Sequence, residues 1–111
     1  MLIRPILDLS EQSPADPKIR IVEDSTADTA PLFKVIIHND NVTPMDFVVE
    51  VLKAIFYLSN PKSTEIMLSA HFYGMAYVQT LVQTEAERRV DQAHQAAAVE
   101  GYPLRFTVEP E

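Results

Sequence analysis

The sequence predicts a small α+β domain: a three-stranded antiparallel sheet with three helices packed on one face, preceded by a flexible N-terminal arm. Three observations carry that expectation. The chain has 111 residues, 47% of them hydrophobic, which suits one domain with one core. After residue 31 the apolar pattern changes period in the order strand, helix, helix, strand, helix, strand. Three strands are too few for a doubly wound sheet, so one small sheet with helices on one face is the economical way to bury them.

The arm comes first. Residues 1–31 hold Pro5, Pro14, Pro17 and Pro31 among Asp8, Glu11, Asp16, Glu23, Asp24 and Asp28. No period survives there except a possible edge strand over Lys18-Ile19-Arg20-Ile21-Val22, so the segment reads as a flexible extension. The core domain is expected over residues 32–111. Leu32 to His38 is rich in β-branched and aromatic residues and reads as the first strand. Thr43 is placed to cap the first helix, with Pro44 at its first position and Asp46 near the positive end of its dipole. Phe47, Val48, Val51, Leu52 and Ile55 then form one apolar stripe. Ser59-Asn60-Pro61 ends that helix and starts the second, which carries Ile66, Met67, Ala70, His71 and Tyr73 and stops at Gly74. Met75 to Leu81 is the second strand. Thr84-Glu85-Ala86-Glu87 has the spacing of a capping box, and the third helix turns Ala86, Val90, Ala93 and Ala97 inward until Gly101. Pro103 to Glu109 alternates apolar and polar, as a strand covered on one face does.

Charge and composition narrow the function. The formal net charge is −7, which disfavours a nucleic-acid partner. There are no cysteines, so disulfides and thiolate metal sites are excluded and a reducing cytoplasm fits. No apolar run approaches the roughly 20 residues that span a bilayer, and Arg4, Pro5 and Asp8 break up the apolar start before a signal peptide can form. With Gly74 and Gly101 the only glycines, no phosphate-binding loop exists. His38, His71 and His94 are too scattered for a local metal site. No catalytic constellation assembles, so neither an enzyme nor a cofactor is expected.

Two groupings remain. Asn39-Asp40-Asn41 crowds acceptors at the end of the first strand. Met67, Ala70 and His71 share one face of the second helix, because spacings of three and four bring side chains together. Taken singly, the first is an ordinary turn and the second ordinary core. Together they would make an apolar cup with a rim of acceptors.

The run Lys34-Val35-Ile36-Ile37-His38-Asn39-Asp40-Asn41-Val42-Thr43-Pro44-Met45-Asp46-Phe47-Val48 resembles the signature of the ClpS adaptors. Glu65-Ile66-Met67-Leu68 with Ala70-His71 and Gly74 is similar to that family's second helix. Ala86-Glu87 and Gly101-Tyr102-Pro103-Leu104 are similar to its last helix and strand. The resemblance spans about residues 33–109. It implies an adaptor, not an enzyme, that binds substrate proteins by an N-terminal Phe, Tyr, Trp or Leu. The adaptor delivers them to a ClpA- or ClpC-type AAA+ unfoldase of the Clp protease. By position, it implies that Asn39, Asp40 and His71 hold the α-amino group and that Thr43, Met45, Val48, Met67, Ala70 and Leu104 line the side-chain pocket. Met45 would be the gate against β-branched residues. Thr84, Glu85 and Arg89 would dock the unfoldase. The implied partners are N-terminal peptides and the unfoldase, with the chain a monomer and neither nucleic acid nor membrane involved.

Physical chemistry supports such a site. An α-amino group has a pKa near 7.7–8.0, so it is mostly a three-donor ammonium at neutral pH. It needs acceptors: the Asn39 amide oxygen, the Asp40 carboxylate and one nitrogen of a neutral imidazole. Burying a Leu or Phe side chain adds roughly 1.5–3 kcal/mol, while a micromolar affinity needs about 8 kcal/mol. Selectivity therefore demands both the amine and the large side chain. The chain departs from the family pattern in four places. Asn41 replaces a second Asp, and Gly74-Met75-Ala76-Tyr77-Val78-Gln79 replaces a Gly-Lys-x-x-Cys-Gly strand. Arg89, with Arg88 adjacent, stands where a Lys is usual, and Ala70 stands for a frequent Val, which would widen the pocket slightly. A ClpS-like module with a different, non-degron partner is the alternative reading.

Overall fold

The computed structural model describes residues 30–111. The arm predicted over 1–31 and its possible strand at 18–22 lie almost wholly outside that range. Six elements follow one another: β1 (Leu32–His38), α1 (Met45–Ala54), α2 (Asn60–Tyr73), β2 (Met75–Val82), α3 (Gln83–Glu100) and β3 (Arg105–Pro110). β1 is central, with β2 on one side and β3 on the other, both antiparallel to it. Pro31–Glu111 forms one compact unit.

Alternation along the strands sets the layers. Val35 and Ile37 of β1, Val78 of β2 and Phe106 of β3 point to the same side and join Val51 and Leu52 of α1, Ile66 and Ala70 of α2, and Ala86, Val90, Ala93 and Ala97 of α3 in one core. All three helices thus cover one sheet face. Phe56, just past α1, stacks on Phe106 with ring centres 5.1 Å apart. The four inward residues predicted for α3 are all buried.

β2 carries a bulge. Val35 pairs with Gln79 but Ile36 pairs with Tyr77, so Val78 is the extra residue. In a regular strand, residues three apart face opposite ways. Here Tyr77 and Thr80 share the outer face and their hydroxyls meet at 2.7 Å. No glycine or proline marks the bulge, and the strand pattern alone does not reveal it.

The two helix starts differ from the sequence expectation. Pro44, not Thr43, is the N-cap of α1, and no side chain caps it. The Thr43 hydroxyl donates instead to Asp40 at 2.9 Å. α3 begins at Gln83 after Val82, so Thr84 lies inside the helix and the capping box does not form. Gln83 reaches Glu87, and Glu85 takes Arg88 and Arg89. α1 ends at Ala54, short of the stop expected at Ser59-Asn60-Pro61, and β3 spans Arg105–Pro110 where Pro103–Glu109 was expected; the start of α2 and the two glycine stops behave as expected. The Ser59 hydroxyl accepts from the Lys62 amide at 3.2 Å, and Gly74 and Gly101 close α2 and α3 with φ of 89° and 80°. Among the described residues one buried hydroxyl, Ser63 Oγ, has no hydrogen-bond partner.

Candidate functional site

The site lies where β1, α2 and the approach to β3 end together. β1 stops at His38, and the next amide, Asn39 N–H, donates to the Gly74 carbonyl at 2.9 Å. Gly74 is the left-handed residue that closes α2. This bond ties the start of the β1–α1 loop to the end of the helix carrying His71. Leu104 fills the side next to β3.

These segments surround a cavity of about 220 Å³. Ile37, Val48, Ala70 and Leu104 are buried and form its floor. Met67 is half-buried, and Met45, at the first turn of α1, is 44% exposed beside the opening. Asn39, Asn41 and His71 are exposed at the rim. An apolar cavity of about 150 Å³ takes up benzene, so this one suits an aromatic ring or a Leu side chain with a polar group held at its mouth.

Asp40 organises the loop. Its Oδ1 accepts from the amides of Val42 at 2.8 Å and Thr43 at 2.7 Å, and its Oδ2 accepts from the Thr43 hydroxyl. Burial alone would raise its pKa, but the hydrogen bonds from Thr43 and Val42 outweigh it and hold the carboxyl below the usual range. Asp40 is therefore a carboxylate at neutral pH. A carboxylate has about four acceptor positions. Three are taken by the loop, so Asp40 offers a negative charge and one free lone pair.

The histidines divide by task. His38 Nε2 meets the Thr107 hydroxyl at 2.8 Å; burial, and then the Arg105 charge, lower its pKa despite Glu109. His94 Nε2 accepts from the Phe106 amide at 2.9 Å and braces β3 against α3. Among the described residues, the side chains of His71, Asn39 and Asn41 have no hydrogen-bond partner, and all three face the cavity. No group of three or more His, Cys, Asp or Glu side chains is placed to hold a metal among the described residues.

The structure brings Asn39, Asp40, His71, Thr43, Met45, Val48, Met67, Ala70 and Leu104 around this one cavity. It adds Ile37, His38 and Asn41 to the lining. Ile37 could have been found from the inward alternation of β1; His38 could not, because its ring bonds across to β3. Thr84, Glu85 and Arg89 are not in the lining. Arg89 is held by Glu85 at 2.6 Å and Gln79 at 2.9 Å and lies over the Tyr57 ring, 4.8 Å from its centre.

The family described as "ATP-dependent Clp protease adaptor protein ClpS" matches residues 28–107. The chain belongs to the ClpS family. A curated ClpS 1 adapter from Rhodopseudomonas palustris is 38% identical over 105 residues, covering 95% of this chain and 96% of that one. A ClpS 2 adapter from Mesorhizobium japonicum is 45% identical over 80 residues, covering 72% and 79%. The solved structure of Agrobacterium tumefaciens ClpS2 bound to L-phenylalaninamide superposes with a TM-score of 0.72 at 39% identity. It covers 74% of this chain and 99% of the ClpS2 chain. The two curated relatives are adapter proteins by name, and the sequence expectation of a ClpS-type α+β fold agrees with the solved structure.

Proposed function

We propose that this ClpS protein binds the N-terminal residue of substrate proteins through its free α-amino group and large hydrophobic side chain, and delivers those proteins to the Clp protease. The observation that carries the reading is the cavity with an apolar floor and, at its rim, acceptors that have no hydrogen-bond partner among the described residues. L-Phenylalaninamide, the ligand of the A. tumefaciens relative, is a free amine, a benzyl side chain and a capped carboxyl, the smallest imitation of an N-terminal Phe. In this reading the ammonium sits at the mouth. Asn39 Oδ1 and an imidazole nitrogen of His71 accept two of its protons, and the Asp40 carboxylate supplies the charge and the third acceptor. Charge-assisted bonds of this kind are roughly twice as strong as neutral ones.

The side chain of the bound residue enters between Met67, Val48, Ala70 and Leu104. Met45 stands beside its β-carbon and rejects Ile and Val by contact with the branch. Ala70, the smallest of these four, leaves the deepest part of the pocket open to the larger aromatics. No step of this function breaks a bond, so the chain acts as an adaptor without catalysis. The same reading makes it a cytoplasmic monomer that serves a ClpA- or ClpC-type AAA+ unfoldase through the α3 end bearing Thr84, Glu85 and Arg89. It gives the acidic, proline-bearing residues 1–31 a part in the hand-over.

Fluorescence anisotropy with labelled peptides tests the reading. Peptides beginning with Phe, Tyr, Trp or Leu should bind. Those beginning with Val or Ile should bind on the order of 10–200-fold more weakly, the range expected for small changes in a hydrophobic pocket. N-acetylation of the Phe peptide should abolish binding. Equal affinity for acetylated and free peptides would remove the proposal.

A further inference from the structure

α2 carries an apolar stripe outside the cavity. Phe72 is 73% exposed and Leu68 is 40% exposed, yet both are large and apolar. They are four residues apart on α2, so they form one stripe. Met67 and His71, also four apart, are lining residues of the cavity. One residue along a helix is a rotation of about 100°, so the Leu68–Phe72 stripe runs alongside the lining stripe and starts at its rim. The two stripes touch: the rings of His71 and Phe72 meet edge to face with centres 5.2 Å apart.

Chain geometry says what could cover this surface. A peptide whose first residue is held at the rim by its amine must leave the cavity across that rim. Each extended residue advances it by about 3.3–3.6 Å, less than the distance between the His71 and Phe72 ring centres. We propose that Phe72, with Leu68 behind it, forms a subsite for an apolar or aromatic side chain at position two of the N-terminal peptide. This rests on the function proposed above. It makes the recognised signal a pair of residues, with the amine and first side chain essential and the second side chain graded.

The test compares two peptides on the same protein, so a general weakening of the pocket cancels. Isothermal titration measures Phe-Leu and Phe-Gly peptides, otherwise identical, against the full wild-type chain, Phe72→Ala, Leu68→Ala and Phe72→Tyr. The wild type should prefer Phe-Leu by roughly three- to tenfold, the size of one aromatic contact. Phe72→Ala should bring that ratio to about one, Leu68→Ala should lower it, and Phe72→Tyr should keep it. A wild-type ratio of one, or a preference unchanged in Phe72→Ala, overturns the inference while binding of both peptides leaves the parent reading intact. A wild type that self-associates through this stripe, with the oligomer lost in Phe72→Ala and no preference at position two, also overturns it and assigns the stripe to a second copy of the chain. If neither peptide binds any variant, the parent reading has failed instead.

Discussion

Two polar clusters, one at the end of β1 and one at the start of α3, differ in how far their hydrogen bonds are satisfied. At the β1–α1 loop, Asn39, Asn41 and His71 face a cavity with no partner among the described residues, and Asp40 keeps one lone pair in hand. At the start of α3, Glu85 binds both Arg88 and Arg89. Arg89, only 15% exposed along its side chain, also binds Gln79, whose amide in turn donates to the Phe56 carbonyl at 3.2 Å. Tyr57, with the sole positive φ among the described non-glycine residues (58°), places its ring under that guanidinium. Spare hydrogen-bonding capacity beside an apolar hole makes a receptor. Side chains bonded to one another make a strut that fixes the α1–α2 turn to β2 and α3. The difference also bears on the docking role proposed for this end of α3: Arg89 is held by Glu85 and Gln79 and Arg88 by Glu85 and Gln92, whereas Thr84 is exposed.

The comparison is broken most directly by exchanging its key residues. Asp40→Ala removes three loop bonds and the charge, so affinity for an N-terminal Phe peptide should fall on the order of 100-fold and stability by about 2 kcal/mol. Arg89→Ala should lower the thermal midpoint on the order of 4 °C and leave peptide affinity within about twofold. Equal loss of binding in both would erase the distinction between receptor and strut. Met45→Ala comes next. It should bring the Leu-over-Val preference from roughly 10–200-fold close to parity, measured by the same anisotropy assay; a preference that stays intact would move the gate elsewhere in the rim.

Acid titration sharpens the contrast. Hydrogen bonds from Arg88 and Arg89 bring the Glu85 pKa down to about 2, from an ordinary 4.5. Asp40 is lowered too. A carboxyl whose folded pKa is depressed binds fewer protons folded than unfolded, so its contribution is fully present above the ordinary pKa and is lost as pH falls through the folded one. Thermal midpoints should therefore fall between about pH 4.5 and pH 2. Glu85→Gln and Asp40→Asn should each flatten that fall. Salt should weaken the Glu85 share, which is a surface ion network, more than the Asp40 share, which is carried by hydrogen bonds within the loop. An effect of similar size to that of Arg89→Ala but opposite sign is expected at Ser63, whose buried hydroxyl is unpaired among the described residues. Ser63→Ala should raise the midpoint by about 4 °C, the shift given by about 1 kcal/mol in a domain of this size; a lowered midpoint would mean the hydroxyl has a partner.

The order and type of all six elements were legible because each depends on a local period and a local stop signal. Val35 and Ile37, the α3 alanines and Gly74 behave as those patterns say. The misread details are ones in which a side chain chose between two local partners. Thr43 turned back to Asp40 instead of capping α1, and Glu85 took two arginines while Gln83 reached Glu87 across the intended capping box. The Val78 bulge, the left-handed Tyr57 and the exclusion of water from Ser63 are tertiary outcomes with no residue-type signal of their own. The cavity was legible only in part. Asn39 and His71 are 32 positions apart in the numbering, and their meeting depends on the Asn39–Gly74 bond. The family motif pointed to that meeting; no spacing rule did.

An NMR titration of the isotope-labelled chain with L-phenylalaninamide, beside its N-acetyl counterpart, goes straight to the convergence of amine acceptors on the cavity. Saturable shifts confined to Asn39–Met45, Met67–His71 and Leu104 with the free amine, and none with the acetylated compound, are the predicted result. Shifts of the same size and place with both compounds, or shifts centred on another surface, would contradict it.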